Sequence, residues 1–216
     1  MSALAYVRSV NVGHTVDADW AGRLRRTAID KRPVAGRTAV DTLGLVEDEQ
    51  ADRANHGGPD QSVYAFARED LDRWQRALGR PLADGQFGEN LTTVGMDVNE
   101  SLIGERWRIG TVLLEVCSVR IPCRVFAAWL TEHRWVRRFT AEGRPGPYLR
   151  VLEEGALAAG DPIEVVHRPA HAVTVSCAFQ ALTTRPELLP LLLEAPALVA
   201  EARDKAREYA LKPTVG

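Results

Sequence analysis

Short apolar segments rich in β-branched residues recur along most of the chain, and turn-forming residues separate them. Segments of this length and composition predict β-strands. The predicted strands lie in AYVRSVNVG, TAVDTLGL, QSVYAFA, ENLTTVG, WRIGTVLLEVCSV and DPIEVVHR. In TVLLEVCSV, Val112, Leu114 and Val116 share one face of the pleat and Glu115 and Cys117 the other, which is the period of a half-buried strand. The body of the protein is therefore predicted to be mainly β.

Two segments within this β-rich part predict helices instead. In AREDLDRWQRALG, Leu71 and Trp74 recur at the spacing of a buried helical face, and acidic residues fill the first turn. In CRVFAAWLTEHRWVRRF we expect a second helix, with Val125, Trp129 and Val136 on its buried face. Strands together with helices indicate an α+β fold.

The composition of the sequence changes after residue 169, where a Leu- and Ala-rich segment is interrupted by prolines. Proline lacks an N–H and restricts the residue before it, so each of Pro186, Pro190 and Pro196 starts or ends a helix. We therefore expect two domains: a mainly β domain over residues 1–169 and a C-terminal unit of three short helices over residues 170–216.

The bulk composition points to a small ligand. A chain of 216 residues suits one generous domain with a small appendage. Its formal net charge of −2 gives no overall attraction to nucleic acid or anionic lipid, so we expect neither partner. No apolar run approaches the roughly 18 residues of a membrane span, and the first residues do not read as a signal peptide. We therefore expect a cytoplasmic protein.

Familiar catalytic motifs are absent from the sequence. It contains no C-x-x-C, H-E-x-x-H, P-loop, G-x-G-x-x-G or G-x-S-x-G pattern. Its three cysteines, Cys117, Cys123 and Cys177, are an odd and sparse set, which indicates reduced thiols rather than a disulfide scaffold. Such a set cannot complete a four-ligand zinc site or hold an iron–sulfur cluster by itself.

Cys123 is the cysteine with the most reactive predicted surroundings. It follows a predicted strand, precedes a predicted helix and is flanked by Arg120 and Arg124. Nearby guanidinium groups and a helix start favour the thiolate, which suits a nucleophile or a metal ligand. The alternative is a buried structural cysteine, since free cysteine is among the most buried residue types. Cys117 and Cys177 lie in apolar segments, and for them the interpretation as buried structural cysteines is preferred.

The segment NHGGPDQ places His56, Gly57, Gly58 and Asp60 in a tight turn before a strand. Glycines let a backbone approach a flat ligand closely, and exposed N–H groups can bind an anion. The alternative is a plain turn that His56 caps.

Two other polar segments are candidates for ligand binding. Glu89 and Asn90, in FGENL, offer carboxylate and amide groups that can read the donor and acceptor edge of a heterocycle. Lys31, Arg32 and Arg37, in DKRPVAGR, can hold a phosphate through charge-assisted hydrogen bonds. Solvated turns and a solvated basic face remain the alternatives.

Six of these segments, taken in order, resemble the signature of the MOSC family, named after the C-terminal domain of molybdenum-cofactor sulfurases. The matching segments are LGLVEDEQAD, NHGGPDQSVYAF, FGENLTT, IGERWRIG, VRIPCRVF and GRPGPYLRVLEEG. The chain is most similar to the bacterial YiiM-like branch, which has a small C-terminal helical domain. The resemblance implies a β-barrel-like fold and a pyranopterin molybdenum cofactor, Mo-molybdopterin, bound through one cysteine that falls on Cys123.

The resemblance also implies roles for individual residues. It gives catalytic roles to Cys123, which ligates the metal, and to His56 and Asp60. It gives cofactor-binding roles to Lys31, Arg32, Arg37, Gly57, Gly58, Glu89, Asn90, Arg120 and Arg150. Departures from the family pattern, in LGLVEDEQ, in VRIPCRV and at Pro147, bear on substrate specificity more than on cofactor binding.

The function that follows from the resemblance is a reductase of N-hydroxylated small molecules, with N-hydroxylated nucleobases as the nearest family substrate. The chain has no flavin, nicotinamide or iron–sulfur motif, so electrons would come from a separate reductase. A homodimer is left open. Two alternatives keep the fold: a carrier that holds a persulfide on Cys123, and a non-catalytic module that stores or delivers the cofactor.

Overall fold

The computed structural model of the chain describes residues 4–51 and 57–211. His56, one of the predicted catalytic residues, lies outside the described residues. The described strands are β1 Tyr6–Val12, β2 Val16–Asp17, β3 Arg26–Thr27, β4 Arg32–Pro33, β5 Arg37–Asp41, β6 Gly44–Leu45, β7 Val63–Ala67, β8 Leu91–Val94, β9 Arg106–Ile109, β10 Val112–Val119, β11 Pro147–Glu153, β12 Gly155–Ala158 and β13 Ile163–His167.

The described helices are α1 Arg68–Leu78, α2 Arg124–Leu130, α3 Trp135–Glu142, α4 Val175–Thr183 and α5 Ala200–Ala210, with 3₁₀ segments at Gly22–Leu24, Pro59–Gln61 and Pro186–Glu194. Each of the six predicted strand segments contains a strand, and the predicted α+β class is confirmed.

The main sheet has eight strands in the order β13-β9-β10-β11-β7-β8-β1-β4. Neighbouring strands are antiparallel except for β7 and β8, which are parallel. The N–H of Ile163 donates to the carbonyl of Ala5 at 2.9 Å, and the N–H of Gly160 donates to the carbonyl of Val7 at 2.7 Å. These bonds join the start of β13 to β1, so the sheet closes on itself into a barrel-like body.

Strand β10 lies between β9 and β11 in the main sheet. The prediction of a half-buried strand was wrong, because residues on both faces of β10 are buried. One face packs in the barrel core, and the C-terminal helices cover part of the strand: the N–H of Val199 donates to the carbonyl of Cys117 at 3.0 Å. Burial on both faces makes β10 a rigid base for the loop that follows Val119.

Helix α1 has the predicted position and buries Leu71 and Trp74. Gly79 ends it in the left-handed conformation, with φ of 66°, which glycine adopts without strain. Its buried face could be predicted from the sequence because its apolar residues follow a clear helical period.

The second predicted helix was wrong in its continuity and in its buried face. It is two helices, α2 and α3, because Thr131 and Arg134 adopt left-handed backbone conformations with φ of 55° and 53°. The break rotates the second helix, so Trp135 is buried and Val136 is exposed. Phe126 takes the buried position in α2 that was predicted for Val125.

An aromatic cluster fixes α2 and α3 against the barrel. Its members are Phe66, Trp74, Phe87, Phe126, Trp135 and Phe139, with ring centroids 4.5–6.5 Å apart. Aromatic contacts of this kind add to the large area that each ring buries. The cluster therefore holds the start of α2, which follows Cys123 directly, in a defined position.

The C-terminal region contains α4, α5 and the 3₁₀ segment Pro186–Glu194 between them. The middle helix is 3₁₀ rather than α, since Pro190 lies inside it and removes an N–H donor. The domain boundary at residues 169 and 170 stays a prediction. In the part of the chain that the structure describes, none of the helices has the length and apolar composition that crossing a bilayer requires.

Candidate functional site

A cavity of about 500 Å³ opens beside Cys123. Its walls come from the β2–β3 hairpin, the segment after β6, strands β7 and β11, and the loop between β10 and α2. Its polar and sulfur-bearing lining residues include Arg23, Arg26, Lys31, Asp48, Gln50, Gln61, Tyr64, Asn90, Arg120, Cys123 and Tyr148. We call this space the main cavity.

Cys123 lies between β10 and α2, as predicted, in extended backbone with φ of −120° and ψ of 173°. The residue is half-buried and lines the main cavity. Of the two arginines that flank it, Arg120 lines the cavity, whereas Arg124 is exposed and does not. Cys123 therefore lies at a partly open cavity with one guanidinium group nearby, which is an environment that suits a thiolate ligand.

Arg120 is a buried cation beside this thiol, with 8% of its surface exposed. Its Nη1 donates to the hydroxyl of Tyr148 at 2.8 Å, and its guanidinium carbon lies 5.8 Å from the ring centroid of Tyr64 and 5.5 Å from that of Phe126. Among the described residues its side-chain hydrogen bond goes to this hydroxyl and not to a carboxylate, and its Nε is buried without a hydrogen-bond partner there. A buried cation in this state is costly, so an anionic partner would be strongly favoured.

Electrostatics keeps Arg120 charged. Burial lowers its pKa, but the negative charges that can form on Tyr148, Cys123 and Tyr64 outweigh burial, so the pKa is raised above its usual value. The interaction is mutual: a fixed positive charge at Arg120 favours the ionised form of the Cys123 sulfur.

Lys31, Asp48 and Asn90 form a second polar cluster in the cavity wall. Lys31 forms an ion pair with Asp48, and both side chains are almost fully buried. Asp48 also accepts hydrogen bonds from the Gly13 N–H at 2.7 Å and from Asn90 Nδ2 at 2.9 Å, while Asn90 Oδ1 accepts from the Tyr64 N–H at 3.1 Å. Burial lowers the pKa of Lys31 despite the neighbouring Asp48. This cluster fixes the amine of Lys31 at the cavity wall.

Glu89 does not line the cavity, although the sequence suggested a ligand-reading role. Its carboxylate is buried and accepts hydrogen bonds from the N–H groups of Gly85 and Phe87 at 2.6 Å and 2.9 Å and from the Thr92 hydroxyl at 2.9 Å. These bonds hold the turn that carries Gly88 and Asn90 into the cavity wall. In the described structure Glu89 is a support for the site, and its predicted cofactor contact stays a prediction.

Burial raises the pKa of Glu89 to about 7 from 4.5. Between pH 4.5 and about pH 7 the folded state keeps a proton on Glu89 that the unfolded chain has lost. The contribution of Glu89 to the free energy of unfolding therefore falls as pH rises through this range. Between about pH 5 and about pH 8 we expect the free energy of unfolding of wild type to fall by about 2–3 kcal/mol relative to that of Glu89→Gln. Urea unfolding at both pH values measures the difference.

The matched control for this prediction is Glu154→Gln, which removes an exposed carboxylate that accepts from the Thr42 hydroxyl. Glu154 lies away from the turn that Glu89 holds. A stability difference between wild type and Glu89→Gln that is the same at both pH values would contradict the assignment.

Asp60 and Arg150 meet each other but do not line the main cavity. Arg150 Nη2 lies 2.9 Å from Asp60 Oδ1 and donates to the Ala197 carbonyl at 2.9 Å, and Arg150 Nη1 lies 3.5 Å from Glu115 Oε1. Arg150 therefore links β11, β10, the segment before β7 and the C-terminal region. The catalytic role of Asp60 and the cofactor-binding role of Arg150 stay predictions.

The remaining predicted residues lie at or beyond the edge of the site. Arg32 is exposed and pairs with Asp30, and Arg37 pairs with Asp161 on the surface. Neither lines the main cavity, and neither does Gly57. Gly58 has a φ of 88° and its N–H donates to Gln50 Oε1 at 3.2 Å.

Two basic residues of the cavity were missed by sequence reasoning. Arg23 and Arg26 line its rim, where the β2–β3 hairpin covers it. Arg26 Nε lies 3.3 Å from Asp17 Oδ1. Arg23 makes no ion pair with a described residue. The signal was present in GRLRR, a more basic segment than DKRPVAGR. These two arginines are better placed than Arg32 and Arg37 for an anionic group in the cavity.

Of the other two cysteines, Cys117 is buried, as the structural interpretation predicted, whereas Cys177 is only partly buried. Cys117 is buried in β10, its Sγ lies 3.2 Å from the Asp60 carbonyl oxygen, and burial raises its pKa to about 12. Burial also raises the pKa of Cys177, in α4. Across residues 4–51 and 57–211, no group of three or more His, Cys, Asp or Glu side chains is placed to hold a metal ion.

Comparison with known proteins gives relatives that cover most of the chain. YflK of Bacillus subtilis is 33% identical over 172 residues, which is 80% of this chain and 78% of YflK. A protein of Gibberella moniliformis named Reductase is 31% identical over 187 residues, which is 81% of this chain but 33% of that protein. This chain therefore spans about a third of the fungal protein.

A solved structure and a family model agree with these relatives. The crystal structure of YiiM from Geobacillus stearothermophilus superposes with a TM-score of 0.80 at 27% identity, over 95% of this chain and 98% of that one. The model of the MOSC domain matches residues 52–164. The predicted resemblance to the YiiM-like branch is confirmed, and the chain belongs to the MOSC domain family.

Proposed function

We propose that this protein binds a pyranopterin molybdenum cofactor in the main cavity, with the Cys123 thiolate as the protein's ligand to the metal, and reduces N-hydroxylated compounds. One observation carries the proposal: Cys123 lines a cavity of about 500 Å³ next to Arg120, a buried cation that has no carboxylate partner among the described residues.

The residues present fit such a cofactor. A cavity of this volume lies in the range of small-molecule and cofactor sites, roughly 300–1,000 Å³. Only one cysteine lines it, which suits a metal that brings its other sulfur ligands with it. The buried Nε of Arg120 lacks a partner among residues that the structure describes, so it is available to an acceptor atom of a bound group.

The chain's own residues would hold the cofactor at several points. Cys123 supplies the thiolate, and the positive charge of Arg120 beside it favours the ionised sulfur. Lys31, fixed by Asp48, presents an ammonium group to the cavity wall, and Arg23 and Arg26 present guanidinium groups at its rim. Cations in this arrangement suit an anionic tail such as a phosphate.

When bound, the cofactor supplies the two-electron chemistry that converts an N–OH group to N–H and water with two protons. The protein's part is to exclude bulk water from the cavity, to fix the ligand atom and to bind the substrate next to it. The hydroxyl of Tyr148, held by Arg120 at 2.8 Å, lies in the same lining and is a candidate proton donor. Electrons would come from a separate reductase.

The names of the matching family and of one relative support the cofactor and the redox chemistry of this proposal. The MOSC domain takes its name from molybdenum-cofactor sulfurases, and one relative that is longer than this chain is named Reductase. These names suggest cofactor association and redox chemistry, and the substrate class rests on the resemblance to the YiiM-like branch.

The test is to produce the full chain in a host that makes the cofactor, to measure bound molybdenum by elemental analysis, and to assay reduction of N-hydroxylated adenine with a chemical electron donor. We expect stoichiometric molybdenum and turnover. Molybdenum without turnover would favour a storage or delivery module. A persulfide on Cys123, detected by mass spectrometry with no metal bound, would favour the sulfur carrier.

A further inference from the structure

A second cavity, of about 370 Å³, lies against the C-terminal helices. It shares Gln61, Arg120, Cys123 and Tyr148 with the main cavity. The same thiol-bearing residue therefore lines two spaces with different walls. We call this second space the helical cavity.

Helix α5 supplies the charged wall of the helical cavity. Glu201, Ala202 and Lys205 line it, and Glu201 and Lys205 are four residues apart, so they lie on one helical face. Lys205 Nζ donates to the Leu182 carbonyl at 3.2 Å, which holds the amine near the cavity and leaves two of its N–H donors. Neither side chain makes an ion pair with a described residue, so both groups are available to a ligand.

The other walls of the helical cavity are apolar or belong to the Cys123 loop. Val119, Ile121, Leu182 and Val199 line it. Ile121 is 44% exposed and lies at this open space. Aliphatic walls suit the faces of a flat ring, since contact with them removes apolar surface from water.

The charges of the helical cavity select the kind of ligand. Arg120 and Lys205 disfavour a cation, and Glu201 disfavours an anion. A carboxylate and an ammonium group on one helical face offer an acceptor beside a donor, which matches a neutral ring with a hydrogen-bond donor and acceptor on one edge. The lining is therefore complementary to an amino-substituted heterocycle.

We infer that the helical cavity is the substrate subsite, that the substrate approaches Cys123 from the C-terminal side while the cofactor occupies the main cavity, and that Glu201 and Lys205 determine substrate specificity. The inference rests on the proposed function for the identity of the reaction. Binding of the heterocycle is independent of that reaction, because it needs no metal and no electron donor.

The first arm of the test measures binding to the full chain without metal. Adenine is the probe, and isothermal titration calorimetry gives its Kd for wild type, Lys205→Met and Glu201→Gln. We expect each variant to bind about 10-fold more weakly or worse, because each loses a hydrogen bond to a charged group. The matched control is Arg207→Met, which removes a positive charge from the same helix but from a residue paired with Asp204 outside the cavity.

The second arm uses cofactor-loaded protein and N-hydroxylated adenine. We expect Lys205→Met to raise KM about 10-fold while molybdenum content and kcat stay near those of wild type, since the residue binds substrate and not cofactor. If the protein binds no molybdenum but the first arm still shows weaker adenine binding in Lys205→Met and Glu201→Gln than in wild type, the proposed function is overturned and the subsite stands. Failure of adenine to bind wild type, or equal Kd values for Lys205→Met and Arg207→Met, would overturn the subsite.

Discussion

Cys123→Ser is expected to abolish bound molybdenum and reductase activity while the fold is retained. Serine is close to cysteine in size, and Cys123 is half-buried at the edge of a cavity, so the exchange does not disturb a packed core. The hydroxyl, however, does not ionise near neutral pH and is a hard donor, whereas the metal's preference is for a soft thiolate. Changes to residues that merely support a metal ligand cost about 10–100-fold in affinity, so loss of the ligand itself costs at least that much.

The measurement combines elemental analysis of the purified variant with near-UV circular dichroism to show that the fold is kept. Cys177→Ser is the matched control, because Cys177 is also partly exposed but lies in α4 and lines neither cavity. Cys117→Ser is a second control, with at most a modest loss of stability from a buried hydroxyl that can donate to the Asp60 carbonyl as the thiol does. Normal molybdenum content in Cys123→Ser would remove the basis of the proposed function.

Local patterns in the sequence predicted the strands and α1, because short runs of β-branched residues between turns mark strands and a regular apolar period marks the helix. The same reasoning failed between α2 and α3, since the apolar pattern runs through Thr131 and Arg134 without a glycine or proline to mark the break. It also failed for the exposure of β10, because the cover on that strand comes from residues near Val199, far along the chain. Tertiary contacts decided both features.

In the candidate site, too, the sequence predicted some features and tertiary contacts decided others. The position of Cys123 between a strand and a helix was predictable, since both elements flank it in sequence. That Arg120 turns inward and Arg124 outward was not, because the difference depends on Tyr148 and Phe126, which close around one guanidinium group. For Glu89, the sequence identified an important carboxylate but not its partners, which are backbone N–H groups of its own turn.

The helical cavity lies beyond what the sequence alone suggested. Nothing in the residues of α5 marks Glu201 and Lys205 as different from other charged residues on an exposed helical face. Their candidacy comes from the packing of the C-terminal helices against the end of β10, which places that face next to Cys123. The position of the proposed specificity wall is thus set by the packing of the C-terminal helices, and on this proposal a relative with other residues at Glu201 and Lys205 is expected to select other substrates.

Asp48→Asn is expected to lower the free energy of unfolding by about 3–5 kcal/mol near neutral pH, because it leaves a buried ammonium group without its counter-charge. Lys31 and Asp48 have side chains that are 10% and 6% exposed, so water from the cavity replaces only a small part of the lost interaction. The asparagine amide also adds donors where Lys31 already donates. The nearby charge of Arg120 makes the unpaired ammonium less favourable still.

The pH dependence of this variant identifies the cause. Burial already lowers the pKa of Lys31 from 10.5, and loss of Asp48 removes the charge that opposes that shift. The unfolded chain then binds a proton that the folded variant has released, so the variant's free energy of unfolding rises with pH below the unfolded pKa. The deficit relative to wild type should therefore shrink between about pH 7 and about pH 10 as the buried amine becomes neutral.

A double variant separates the charge effect from general disruption of the cavity wall. In Lys31→Met/Asp48→Asn no buried ammonium remains, and the oxygen of the new amide side chain can still accept from the Gly13 N–H, as the Asp48 carboxylate does at 2.7 Å. Replacing a buried ion pair by neutral groups is often close to neutral in stability, so the double variant should recover most of the loss of the single one. Equal losses in the two variants, or a deficit that does not change with pH, would mean that the pair is not what stabilises this wall of the site.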